Sequence, residues 1–162
     1  MTMEHSLESG DQPRVGDADP GPQFQELWFA LQRNAWASLV VVPADEGSSA
    51  AWVAQSVAAV GAGLHDPPVT AVVAEELDFN SAARLAANLS SAGGGGPRGA
   101  VRTGQVIVAI GPVVAQPLAI AVARAADAVI LCVEMGKTRI ASARRTIELI
   151  GADRFVGCLM LT

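Results

Sequence analysis

Few residues in this chain combine a reactive type with a useful spacing. Its single lysine, Lys137, stands in the string Gly136-Lys137-Thr138. A lysine, a hydroxyl and glycine N–H groups are the parts of a phosphate-binding loop, which reads G-x-x-x-x-G-K-[ST]. No glycine loop precedes this string, so it fits a turn whose Thr138 caps the next helix. The run Gly93-Gly94-Gly95-Gly96 lacks the strand before and the helix after that a phosphate cradle needs. Cys132 and Cys158 each sit in an apolar run and read as buried, reduced thiols. A disulfide between them is open only if their strands are neighbours. His5 and His65 are not spaced to complete a metal site, so no metal is expected.

Composition narrows the partners. The chain has 162 residues, 51% hydrophobic and 17% charged, which suits one globular domain with a real core. Its net charge is −5, whereas nucleic acid and anionic membrane surfaces both require a basic face. Residues 1–22 are rich in Gly, Pro, Asp and Glu and read as a disordered acidic tail, with no secretory leader visible. The apolar stretch 106–123 is broken by Gly111, Pro112, Gln116 and Pro117, so two short buried elements fit it better than a membrane span. The expected location is the cytoplasm.

The elements that must position any site follow from periodicity. Phe24, Leu27, Trp28 and Leu31 recur at helical spacing over 23–34. Fully apolar runs at 39–42, 69–74, 105–110, 128–133 and 155–161 read as strands buried on both faces. Helical segments are expected at 48–62, ending near Gly61 and Gly63, at 81–89, and from Pro117 to about 126. A last helix starts at Thr138, with Ile140, Ala143, Ile147 and Ile150 inward, and stops at Gly151. Residues 90–103 are a loop. Strand and helix alternate, which predicts one α/β domain over 23–162, its parallel sheet covered by helices on both faces. In such sheets ligands bind at the carboxyl ends of the strands. The loops after Val42, Ala74, Ile110 and Val133 are expected to converge there.

Four segments carry a resemblance. The last third, AADAVILCVEMGKTRIASARRTIELIGADRFVGCLMLT, resembles the strand, Gly-Lys-Thr-Arg turn, helix and closing strand of the bacterial tyrosine kinases of capsule and exopolysaccharide synthesis. These are P-loop proteins related to the MinD/ParA-type ATPases. VIVAIGPV looks like the family's strand ending in Asp-Thr-Pro-Pro, and LVVVPADEGSSAAWVAQSVA like its strand, phosphate loop and helix. ELWFALQRN looks like the helix carrying Glu-x-x-Arg-x-x-Arg, which builds rings by ion pairs between subunits.

The departures from that family concern its chemistry. Val42 stands where the first Gly of the phosphate loop belongs, and Asp45 replaces the Gly of Pro-Gly-Glu-Gly. Gly47 is kept, but Ser48 holds the lysine position, with Ser49 at the hydroxyl position. Ala109 stands where the resemblance implies a Mg²⁺-holding Asp, and Glu75 falls near the other acidic strand end. Each lost charge-assisted contact is worth ~1.5–3 kcal/mol, so two losses weaken nucleotide binding by roughly a hundredfold or more. Asp45, Glu46, Glu75 and Glu76 add repulsion. The chain has no Tyr, whereas the kinases autophosphorylate a tyrosine cluster. On the ring-building helix Glu26 remains, while Phe29 and Gln32 occupy the two Arg positions.

The resemblance therefore implies a degenerate member: a non-catalytic module with no ATP or Mg²⁺ cofactor. Its implied partner is a protein, either the membrane co-polymerase of a polysaccharide exporter or an active homologue, with recruitment to the inner membrane through it. Self-association into a homo-oligomer is open. One alternative is an unorthodox ATP-binding protein or autokinase in which Lys137 replaces the lost lysine. Another is a positioning or assembly protein like the MinD/ParA relatives.

Overall fold

The computed structural model describes residues 20–47, 50–64, 68–93 and 104–162. The expected tail through residue 19, Ser48, Ser49, His65 and the 94–103 part of the expected loop lie outside them. In chain order the elements are α1 (Pro22–Leu31), β1 (Ser38–Pro43), α2 (Ala50–Leu64), β2 (Val69–Ala74), α3 (Phe79–Gly93) and β3 (Gln105–Ile110). Then follow α4 (Leu118–Ala125), β4 (Ala128–Glu134), α5 (Ile140–Ile150), a 3-10 turn at Ala152–Arg154, and β5 (Phe155–Leu161).

The five strands form one sheet in the order β2-β3-β1-β4-β5, and every pairing is parallel. Every side chain of β1 is buried, alternating between two apolar layers. Leu39 and Val41 join Ile107, Ile130 and Cys132 beneath α1 and α2. Val40 and Val42 join Val108, Ile110, Val129 and Leu131 beneath α3, α4 and α5. The handedness of crossovers explains this division. The β1–α2–β2 connection moves along the sheet in one direction, while all later connections move the other way. One hand of crossover then requires α2 and α3–α5 to lie on opposite faces.

Two locks hold the amino end of the sheet. Asp127 Oδ2 accepts the N–H groups of Ala37 and Ser38 at 2.8 and 3.0 Å, and the Ser38 hydroxyl accepts the Asp127 N–H at 3.0 Å. Trp36 is buried, donates its indole N–H to the Leu31 carbonyl at 3.1 Å, and packs edge-on to Trp28 at 6.2 Å. These contacts fix α1 and the start of β1 on the same layer.

Three expectations are corrected. Cys158 is exposed, because β5 is an edge strand, whereas Cys132 is buried. Burial pushes the Cys132 thiol up to about 12, with the neighbouring Cys158 adding to the rise. The two strands are neighbours, but Cys158 pairs with Leu131 and Cys132 with Leu159, so the thiols point to opposite faces and both are free. Ile140 is 76% exposed, and the buried residues of α5 are Ser142, Thr146 and Ile150. Thr146 is accommodated because its hydroxyl donates to the Ser142 carbonyl at 2.9 Å. Finally, Thr138 does not cap α5, as its hydroxyl is occupied within the preceding turn.

α2 ends at Leu64, just past the expected bound near 62, and its last turn holds Gly61. The role of Gly61 is close approach: a Cβ there would lie 2.6 Å from the Trp28 ring and 2.7 Å from Val69 Cγ2. Trp28 and Val69 belong to the same buried cluster, so neither has free space to yield. Gly61→Ala is expected to destabilise the fold by about 1–3 kcal/mol through overpacking, measured as a lower urea midpoint at unchanged slope.

Candidate functional site

The loops after β1, β3 and β4 meet at the carboxyl edge of the sheet. They border an open cavity of about 480 Å³ lined by Asp45, Glu46, Val114, Ala115, Lys137, Arg139 and Ser142. The position follows from topology. β1 sends its chain to the α2 face, while its neighbours β3 and β4 send theirs to the opposite face. The chain therefore parts around the end of β1, which is where open α/β sheets form their crevice.

Asp45 dominates this crevice. Ala44 is still tied to the sheet, donating its N–H to the Cys132 carbonyl at 3.0 Å. Asp45 then turns across β4 to the start of α5. Its Oδ2 accepts the Arg139 backbone N–H at 2.8 Å, and its Oδ1 takes the Arg139 guanidinium at 3.1 Å. Ser142 lines the same crevice and adds to the lowering of the Asp45 pKa. Partial burial alone would raise the Asp45 carboxyl pKa, but these donors and the Arg139 charge outweigh it and hold the pKa below the ordinary carboxylate value.

The local sequence explains why α5 needs this help. Its N-cap is Arg139, which has no side-chain oxygen for the first-turn N–H groups. The Thr138 hydroxyl accepts the Glu134 N–H at 2.8 Å instead. Asp45 thus supplies the anionic cap from 94 positions away.

The expected site residues divide into three groups. Gly47 lies in the turn after β1 at φ +87°, a conformation that favours glycine, but it does not line the cavity. Ser48 and Ser49 fall outside the described residues. Glu75 is exposed just after β2, beyond β3 and away from the cavity wall. Ala109 is fully buried beneath α2, level with Val41, and does not reach the crevice. Lys137 does line the cavity, yet it is 74% exposed and ion-paired with Glu134. On α1, Glu26 and Phe29 are exposed, Phe29 by 62%. Gln32 is partly buried at the amino end, donating to Gln105 Oε1 at 3.5 Å, so it does not continue their outer surface.

Sequence reasoning missed Arg139 and Ser142, and it read Asp45 only as a source of repulsion. The sequence carried no signal for this, because Thr138 read as the cap of α5 and only the structure shows its hydroxyl occupied by the Glu134 N–H. Among the described residues, no three His, Cys, Asp or Glu side chains gather as a metal site. No described helix is long and apolar enough to cross a membrane. No protein-family model matches the chain, and no curated protein sequence matches it.

Asp45→Ala is expected to lower stability by about 2 kcal/mol, the scale of hydrogen bonds to a charged group, with the exposed Arg139 contributing little. Because the folded pKa is depressed, this contribution is present above the ordinary carboxylate pKa. It is lost as pH falls below 3.8 and through the folded value. Chemical denaturation of the wild type and Asp45→Asn should therefore diverge at neutral pH and converge in acid.

Proposed function

We propose that this chain is a non-catalytic binding module on a degenerate P-loop-like fold, with its own Asp45 carboxylate occupying the place of a ligand anion. The observation that carries this reading is the Asp45 bridge to Arg139 across the crevice. The strand order and the crevice at the end of β1 support the P-loop-like part.

A nucleoside triphosphate with Mg²⁺ does not fit the residues present. Two cations line the cavity, and each has an acid already: Arg139 has Asp45, and Lys137 has Glu134. Glu46 remains as a surplus carboxylate on the wall. Two like charges 4 Å apart repel by ~1 kcal/mol in water and ~4 kcal/mol at an effective dielectric constant of 20. Each 1.4 kcal/mol is about tenfold in affinity, so a polyphosphate entering here loses binding rather than gaining it. Ala109 offers no carboxylate to a metal, and its buried place leaves no room for one to act.

Partner binding is then the remaining use of the fold. The resemblance to the exopolysaccharide kinases points to a protein of that export machinery, a membrane co-polymerase or an active kinase homologue. The exposed Phe29 beside Glu26 on α1, together with Trp52, 49% exposed on α2, supports a protein contact on that layer.

Lys137 supports a second reading, since it lines the cavity and its side chain is 74% exposed. Calorimetric titration with ATP or ADP plus Mg²⁺ separates the two. No heat at millimolar nucleotide is the expected result. Micromolar binding that is lost in Lys137→Ala would replace the binding-module reading with a rebuilt nucleotide site.

A further inference from the structure

Among the described residues, Phe79, Val114, Leu118, Met135 and Ile140 are exposed, and each lies in or next to a loop that leaves the carboxyl end of the sheet. Scattered exposed apolar residues need no explanation, but a group of them at one end marks a contact surface. The charges there are unbalanced. Lys137 and Arg139 are committed to Glu134 and Asp45. Asp78 accepts the Ser81 N–H and hydroxyl at 2.7 and 2.8 Å. Glu46, Glu75 and Glu76 are exposed and have no ion-pair partner among the described residues.

The strand order spaces these groups. Glu75 and Glu76 follow β2, Val114 and Leu118 follow β3, and Glu46 follows β1, in that order across the sheet. Gly111 opens the loop that carries Val114 and abuts the Glu75 carbonyl, since a Cβ on Gly111 would lie 2.6 Å from that oxygen. On the other side, Val114 and Glu46 line one cavity. Apolar side chains therefore stand between two sets of free carboxylates. β2 and β1 are two strand spacings apart, about 10 Å. A helix advances about 10 Å in seven residues, and its positions i, i+3, i+4 and i+7 share one face.

We propose that this edge docks a basic amphipathic helix of a partner protein, laid across the ends of β2, β3 and β1. Its apolar positions meet Val114 and Leu118, while one cation faces Glu75 and Glu76 and a second, two turns on, faces Glu46. The surplus carboxylates that turn a polyphosphate away select this partner. The inference rests on the binding-module reading, because a nucleotide and the helix would compete for the same crevice.

Fluorescence anisotropy tests it, with the full chain added to a labelled synthetic helix that has lysines two turns apart and leucines between them. The expected result is saturable binding that weakens as salt is raised. Glu46→Lys and Glu75→Lys should together weaken it about tenfold, and Leu118→Ser about fivefold. Glu148→Lys, the same charge change at the far end of α5, leaves it unchanged. Circular dichroism checks each variant, and Val114→Ser serves if Leu118→Ser does not fold. No saturable binding overturns the proposal. So does equal binding of a helix with glutamates in place of the lysines, a loss in Glu148→Lys as large as in Glu46→Lys, or a dimer of the chain that shuts the probe out. In each of these cases the absence of nucleotide heat leaves the binding-module reading standing, whereas micromolar nucleotide binding removes both.

Discussion

Strand β1 has no side chain in contact with water, from Ser38 to Pro43. A strand buried on both faces and both edges needs a strand on each side and a helical layer above and below. β3 and β4 supply the sides, and α1–α2 and α3–α5 supply the layers. Because the crossovers keep one hand, the connections around β1 must leave to opposite faces. The crevice at its carboxyl end is the geometric consequence. Its amino end is closed by the reciprocal bonds between Ser38 and Asp127.

At that crevice the chemistry of this chain differs from what its fold provides. A helix N-terminus and two cations beside a glycine turn are an anion site in outline. Asp45 fills it from within. The same carboxylate accepts the N–H of the N-cap Arg139 and holds its guanidinium. One side chain thereby fastens the start of α5 to the end of β1, and in the proposed reading it also takes up the donors that a phosphate would use. Stability and loss of nucleotide chemistry are two effects of one interaction in the proposed reading.

The outer strands obey a different rule from the central one. β5 covers its inward positions, Leu159 and Leu161, against the α2 layer, and leaves Cys158 and Met160 open on the other face. On α5 the expected Ala143, Ile147 and Ile150 do pack inward, joined by Ser142 and Thr146, while Ile140 faces out. Apolar character alone therefore misplaces side chains at the margin of the sheet, where β5 has β4 as its one neighbour among the described strands.

The sequence by itself determined the elements. The strands expected at 69–74, 105–110 and 155–161 coincide with β2, β3 and β5, because each is a short, mainly apolar run between polar or glycine-bearing turns. It also determined that Phe24 and Trp28 face inward and Phe29 outward, since helical spacing separates them. Only the tertiary structure decided the order of the strands, the exposure of Cys158 and Ile140, and the meeting of Asp45 with Arg139. Local periodicity records whether a residue is buried, not which distant residue buries it. A carboxylate and a guanidinium separated by 94 positions leave no mark on each other's neighbours until the sheet sets them side by side.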